Sequence, residues 1–200
     1  MSVANETPGR RERNKQAKLE RITAVATELF ATHSVDDVTT QQIADAADIG
    51  AGTLFLYAKT KGELLLLAQN ALYEVALERG LAASAAAPSA LAALMALVEP
   101  VVRCNRAQID NGRAYLREMV FGDPTEPHHA AALAIVGRTE AAAAALLVRH
   151  LRLDLVEAQA LASVVSAVLF LTMSRSDQVD SSVEQLLTDV RTQLAAALPR

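Results

Sequence analysis

The sequence predicts an all-α protein, and three observations carry that prediction. Apolar residues make up 52% of the 200, with Ala abundant, while aromatic residues are 4% and Trp is absent. Val, Ile and Thr seldom alternate with polar residues, so strands have little to build from. Apolar positions recur instead at spacings of three and four, the period of a helix that buries one face. The length suits a single domain or a small one joined to a larger one, with enough apolar mass for a sizeable core.

Residues 1–10 are polar and expected to be disordered, and they lack the apolar stretch of a signal peptide, so the protein is expected to stay in the cytoplasm. A first helix is predicted from Arg11 to Thr32, with Leu19, Ile22, Ala26, Leu29 and Phe30 on one face. After a turn at residues 33–38, Thr39 and Gln42 have the spacing of a capping box, so a short helix starts at Thr40 and turns Ile43, Ala44 and Ala47 inward. Asp48 then falls where the chain must reverse, and Asp tolerates the left-handed conformation of such turns. Gly50 opens a second short helix over residues 51–57, with Leu54 and Phe55 expected in the core behind it. Two short helices around a tight turn form a helix-turn-helix unit.

A long fourth helix is predicted from the Lys59–Glu63 segment to about Leu81, followed by a small-residue joint at residues 82–89. Further helices are predicted over residues 89–103, 109–121, 128–151, 155–174 and 182–198, about nine in all. Pro124 and Pro127 break the chain between two of them. The expected division is residues 11–59 for the helix-turn-helix domain and 60–200 for the larger helical one.

Formal charge is −4 overall, yet Arg10 to Arg21 carries six basic residues against Glu12 and Glu20, leaving −8 for the remainder. Such an arm either lies along a phosphate backbone or is a solvated charge run. The single cysteine, Cys104, excludes an intramolecular disulfide and fits a reducing compartment. The uncharged stretch from Ala158 to Ser174 approaches membrane-spanning length, but its Gln159, Ser163, Ser166 and Thr172 favour a helix buried between protein surfaces.

The run Thr39-x-x-x-Ile43-Ala44-x-x-Ala47-x-Ile49-Gly50-x-Gly52-Thr53-Leu54-Phe55-x-Tyr57-x-x-Thr60-Lys61-x-x-Leu64 resembles the DNA-binding signature of the TetR (tetracycline-repressor) family of transcriptional regulators. The resemblance implies a three-helix DNA-binding domain followed by a helical bundle for effector binding and dimerisation. It implies DNA contacts from Thr39, Thr40, Gln41, Gly50, Ala51, Gly52, Thr53, Leu56, Tyr57 and Lys61. Gly50, Ala51 and Gly52 carry almost no side chain and allow close approach to the groove, with backbone N–H groups facing the phosphates. Thr53, Tyr57 and Lys61 resemble phosphate contacts, which position without selecting sequence. Gln41 can pair with adenine, and Ala51 and Leu56 can touch a thymine methyl, which predicts an A/T-leaning half-site. Gln41 also fits a merely solvated helix position, and Leu56 a contact with the first helix. Asp48 stands where the family commonly has a turn glycine, and Ala58 where an aromatic is frequent.

The resemblance further implies a small-molecule effector, for which Met95, Val98, Val102, Tyr115, Met119, Phe121, Phe170 and Met173 are candidate pocket walls, or plain core. Arg103, Arg117 and Glu118 could orient the effector. Adjacent His128 and His129 point about 100° apart on a helix, which does not suit a shared metal. They are expected to be polar, partly exposed residues. No cofactor, metal or catalytic motif is predicted. By the resemblance the last two helices form a homodimer interface, supported by the uncharged 158–174 helix and the apolar stripe Val183, Leu186, Leu187, Val190 and Leu194. The expected function is a repressor, released from a palindromic DNA operator by its effector, with the fourth helix coupling the sites; activation is the alternative, since nothing in the sequence fixes the direction of control. A helical-bundle enzyme and a sequence-independent DNA-binding protein are the rival readings.

Overall fold

The computed structural model describes residues 9–199. Residues 1–8, which hold most of the segment expected to be disordered, lie outside the described residues, as does Arg200. Among the described residues there are nine α-helices and no strand. In order they are α1 (Arg10–Thr32), α2 (Thr40–Ala46), α3 (Ala51–Leu54), α4 (Lys61–Ser84), α5 (Ala90–Arg106), α6 (Ile109–Phe121), α7 (Pro127–Leu151), α8 (Leu155–Ser174) and α9 (Val183–Ala197). Arg10, expected to be disordered, is instead the first residue of α1.

Helices α1 to α3 form a small head. Ile22, Ala26 and Phe30 of α1 are buried with Ile43, Ala44, Ala47 and Leu54, and Leu64 of α4 completes the cluster. The turn between α2 and α3 is set by backbone chemistry. Asp48 sits at φ 52, in the left-handed region. Its N–H donates to the Asp45 carbonyl at 3.1 Å, and the Ile49 N–H donates to the Ala44 carbonyl at 3.0 Å. This is a Schellman motif with Asp48 in the place usually taken by glycine.

Helix α3 is shorter than expected. Its last regular residue is Leu54, after which Leu56 and Tyr57 donate three residues back, to Thr53 and Leu54, so the segment tightens into successive turns. Phe55, expected in the core, is 44% exposed. Helix α4 starts two residues later than its basic segment predicts, because the Thr60 hydroxyl accepts from the Glu63 N–H at 3.0 Å and caps it.

The body is built around α4, which packs most extensively on α5 and also meets α1, α6 and α7. Gly80 makes the α4–α5 contact possible: a Cβ there would collide with the Leu97 carbonyl. The chain keeps α5 helical through Pro100, to Arg106. Helices α8 and α9 begin with capping boxes, Asp154 with Glu157 and Ser182 with Gln185.

Helices α7 and α8 are long and apolar enough to cross a membrane, by length and composition. Both pack in the bundle, against each other and, for α8, against α9. Only 28% of the most apolar stretch of α8 is buried, and Val156, Val164 and Leu171 lie open along it. The stripe on α9 behaves differently from expectation. Leu186, Val190 and Leu194 are fully buried within the chain, on the side that meets α5 and α8, with Val183 and Leu187 partly buried. The open apolar surface of the last two helices therefore belongs to α8.

A left-handed residue with a Cβ costs about 1–2 kcal/mol unless its side chain is suited to that region. Asp48→Ala should lower stability by about 1 kcal/mol, and Asp48→Gly should leave it unchanged or raise it. Urea denaturation of the three proteins checks this; equal midpoints for the Ala and Gly variants would contradict the strain argument.

Candidate functional site

The head presents two surfaces, one outward and one toward the body. On the outward side the capping box of α2 forms as its sequence predicts. Gln42 N–H donates to the Thr39 hydroxyl at 3.1 Å, and Thr39 N–H donates to Gln42 Oε1 at 2.7 Å. Thr39 is exposed and Thr40 half-buried. Gln41 is exposed and donates one side-chain N–H to Asp45 Oδ1 at 2.7 Å. That bond leaves its other N–H and its carbonyl oxygen, the pair that a bidentate contact to adenine requires.

Gly50, at the N-cap of α3, and Gly52 within it are exposed, and a Cβ added to either would meet nothing within 4 Å. Neither has a positive φ. Nothing inside the described chain requires glycine at these positions. With α3 reduced to one turn, its dipole adds little to that approach. Ala51 is half-buried against the head core, Thr53 and Tyr57 are half-buried, and Leu56 is 83% exposed, so it does not pack on α1.

Across a cleft from Thr53, Leu56 and Tyr57 stands the basic end of α1, with Arg10, Arg11, Lys15 and Lys18 on its wall beside Glu12 and Asn14. The four cations are exposed. Hydroxyls, small residues and ammonium or guanidinium groups on one open face are the donor set that phosphate oxygens accept from. Lys61 is half-buried and donates to the Asp36 carbonyl at 3.2 Å, so part of its role is to brace the loop before α2.

On the inward side the head is fastened to the body. Asn111, fully buried near the start of α6, donates to the carbonyls of Phe30 at 2.7 Å and His33 at 2.8 Å and accepts from the Val35 N–H at 2.6 Å. His128 Nε2 lies 2.8 Å from the Tyr57 carbonyl. Lys59 pairs with Glu126, whose hydrogen bond and charge hold the Lys59 ammonium above its ordinary pKa. Buried Glu63 accepts from the His128 N–H at 3.3 Å, and its burial pushes the carboxyl above its ordinary pKa. His129, expected to be partly exposed, is buried, with Nε2 2.9 Å from the Met119 carbonyl. The tight turn at Gly122 places it against the end of α6. Among the described residues no group of three His, Cys, Asp or Glu stands close enough to hold a metal.

A cavity of about 260 Å³ opens between α4, α5, α6, α7 and α8. Of the eight residues named from sequence, Tyr115, Met119, Phe170 and Met173 line it. Met95, Val98 and Val102 are buried in the core and do not reach it, and Phe121 is 82% exposed on a neighbouring groove. On α5 the lining residue is Val101; one residue's step turns a helical side chain by about 100°, which separates it from Val102. The sequence reading missed the contributions of Tyr73 from α4 and of Ile135, Val136 and Thr139 from α7. Tyr73 and Tyr115 stack with ring centroids 4.5 Å apart. Burial raises both phenol pKa values, so the hydroxyls stay protonated. Burial likewise pushes the Cys104 thiol up to about 11, which keeps it in the thiol form near neutral pH. Arg103 pairs with Glu99 and Glu184, and neither it, Arg117 nor Glu118 lines the cavity.

Residues 22–68 match the family model for bacterial regulatory proteins, tetR family. No curated protein matches the chain. Among solved structures, a TetR transcriptional regulator from Rhodococcus sp. RHA1 is similar with a TM-score of 0.67 at 15% identity, covering 92% of this chain and 97% of its own. Thermus thermophilus FadR, a TetR family transcriptional repressor in complex with lauroyl-CoA, gives 0.67 at 22% identity, over 91% and 96%. The Bacillus subtilis regulator FadR, in complex with stearoyl-CoA, gives 0.65 at 14% identity, over 90% and 99%. At these identities the likeness to the solved structures is one of fold. Head and body together have the fold of helix-turn-helix transcription regulators. Residues 22–68 thus carry the sequence pattern of the tetR family of bacterial regulatory proteins, and the fold is similar to that of TetR regulators along nearly the whole chain.

Removing the Asn111 amide would leave three backbone groups of the head without their partner. Asn111→Ala is expected to cost about 2–3 kcal/mol in urea denaturation. A loss below about 1 kcal/mol would mean that the head is held by its other contacts.

Proposed function

We propose that this protein is a sequence-specific transcriptional repressor that binds a palindromic operator as a homodimer and is released by a small molecule held in the body. The observation that carries the DNA-binding part is the open space around Gly50 and Gly52 beside the basic cleft. In this reading Thr39, Thr40, Thr53, Tyr57 and Lys61 contact the phosphate backbone and Gly50 and Gly52 admit it closely. Gln41, Ala51 and Leu56 read an A/T-leaning half-site. The basic start of α1 extends the contact along the phosphates. The protein acts in the cytoplasm and performs no catalytic step.

A second copy of this chain is the proposed cover for α8. Val156, Val164 and Leu171 with Ala160 and Ala167 form an exposed, uncharged face, and exposed apolar surface of this kind marks an interface. Pairing along α8, flanked by the outer side of α9, sets two recognition segments in two-fold symmetry, which a palindrome matches.

Effector control follows from shared elements. Helix α6 carries Tyr115, Leu116 and Met119 on the cavity and Asn111 on the head. Helices α4 and α7 also line the cavity and also touch the head, through Lys61 and through His128. A ligand that fits the cavity better in one head arrangement than in another shifts the population toward it. The expectation of a single coupling helix, α4, thus widens to three. The FadR relatives hold acyl-CoA, which makes an apolar effector the natural class to test here.

The test is fluorescence anisotropy on duplexes from the gene's own upstream region, with scrambled DNA as competitor. Tight, poorly competed binding to a palindromic duplex is expected. Tyr57→Phe should weaken it, and Lys61→Ala should weaken it and reduce the salt slope by about 1. Gly52→Ala should raise or preserve thermal stability, since alanine is favoured by about 0.5–1 kcal/mol inside a helix, while weakening operator binding at least tenfold. Equal binding to operator and scrambled duplexes would sink the reading. So would a Gly52→Ala variant that binds DNA normally.

A further inference from the structure

The chemistry of the cavity narrows its ligand further than the fold does. No Asp, Glu, Lys, Arg or His side chain lines it. An ion placed there would lose its hydration with no opposite charge in return. The lining offers four side-chain hydroxyls; two of them, Tyr115 and Thr139, already donate their proton, and Tyr73 already accepts a bond while keeping its own O–H to donate. Tyr115 donates to Asn70 Oδ1 at 2.9 Å, Tyr73 accepts from Asn105 Nδ2 at 2.8 Å, and Thr139 donates to the Ile135 carbonyl of its own helix at 2.9 Å. Ser166 lines the cavity with no hydrogen-bond partner among the described residues.

Size sets a second bound. A cavity of roughly 150 Å³ holds a benzene molecule, so about 260 Å³ holds about ten carbon atoms at the same filling. A third bound comes from the adjoining groove between α6, α8 and the loop after α1, which shares Leu116 and Phe170 with the cavity. Its two cations, Arg113 and Arg117, are matched by Asp36 and Asp110. That balance gives no positive field to hold a polyphosphate head outside the cavity.

We propose that the ligand of this cavity is an uncharged, mainly apolar molecule of about ten carbon atoms, carrying one hydrogen-bonding group for Ser166, and not a coenzyme A thioester. The proposal rests on the reading of the cavity as the effector site. Apolar contact with the stacked tyrosines, Met119 and Phe170 supplies affinity, and Ser166 supplies orientation.

The probes are 1-decanol and 1-naphthol, which share carbon number and one hydroxyl but differ in shape, against decanoate and decanoyl-coenzyme A. Isothermal titration of the full-length protein should show binding of at least one alcohol with a negative heat-capacity change. Decanoate and the thioester should bind at least tenfold more weakly. Ser166→Ala should weaken the bound alcohol about fivefold, the equivalent of one hydrogen bond. Val136→Phe and Thr139→Leu fill the cavity from α7, and whichever melts cooperatively near the wild-type temperature should lose the alcohol. Tighter binding of the thioester or of decanoate would overturn the proposal, as would no binding of either alcohol or undiminished binding to a folded filled variant. The effect of the bound alcohol on operator affinity is measured separately. If the alcohol binds as expected and operator affinity does not change, the ligand class stands and the effector reading of the cavity falls.

Discussion

Three hydrogen bonds from one buried amide hold the two halves of this molecule in register. Asn111 stands at the start of α6 and takes up two carbonyls at the C-terminus of α1, those of Phe30 and His33, together with the Val35 N–H of the loop beyond it. Those groups would otherwise be unpaired, since a helix end leaves its final carbonyls without partners. Burial makes the arrangement demanding, because a partial match would cost more than an apolar contact. The amide helps to set where the head sits, beside the packing of α1 on α4, and the turn, the cleft and the outward face of α3 are carried with the head. Around this point Lys59, Glu63, Glu126 and His128 add a second, more polar seam at the other side of the head.

The joint has a functional logic. The helix that carries Asn111 at one end carries cavity-lining residues one to two turns later. A side chain that must pair with three backbone groups does not slide gradually; it keeps its contacts or loses them. Packed, hydrogen-bonded seams of this kind favour discrete arrangements over continuous deformation, which is the property a ligand-biased equilibrium needs.

The local rules that act over a few residues were the most legible in the sequence. The Thr39–Gln42 capping box, the left-handed turn at Asp48 and the bounds of α6 and α8 follow from spacing and side-chain chemistry alone. What escaped was set by neighbours distant in sequence. Phe55 has the composition of a core residue, but α3 tightens after Leu54 and turns it outward. The stripe on α9 looked available to a partner because nothing local says that α5 and α8 cover it. On α5, Val101 and Val102 are equally apolar, and only the tilt of the helix in the bundle decides which meets the cavity and which the core. Asn111 gave no signal, since an Asn in the first turn of a helix reads as solvated until the partner backbone is known.

The tyrosines of this chain have a consequence of their own. The sequence holds three and no tryptophan. Tyr57 stands on the basic cleft of the head, while Tyr73 and Tyr115 stack on the cavity wall. Ultraviolet emission of the unmodified protein therefore comes from phenols placed at its two candidate recognition surfaces, with no indole to mask them. The molecule is its own optical probe, and a single-tyrosine pair of variants would let the two surfaces be followed one at a time.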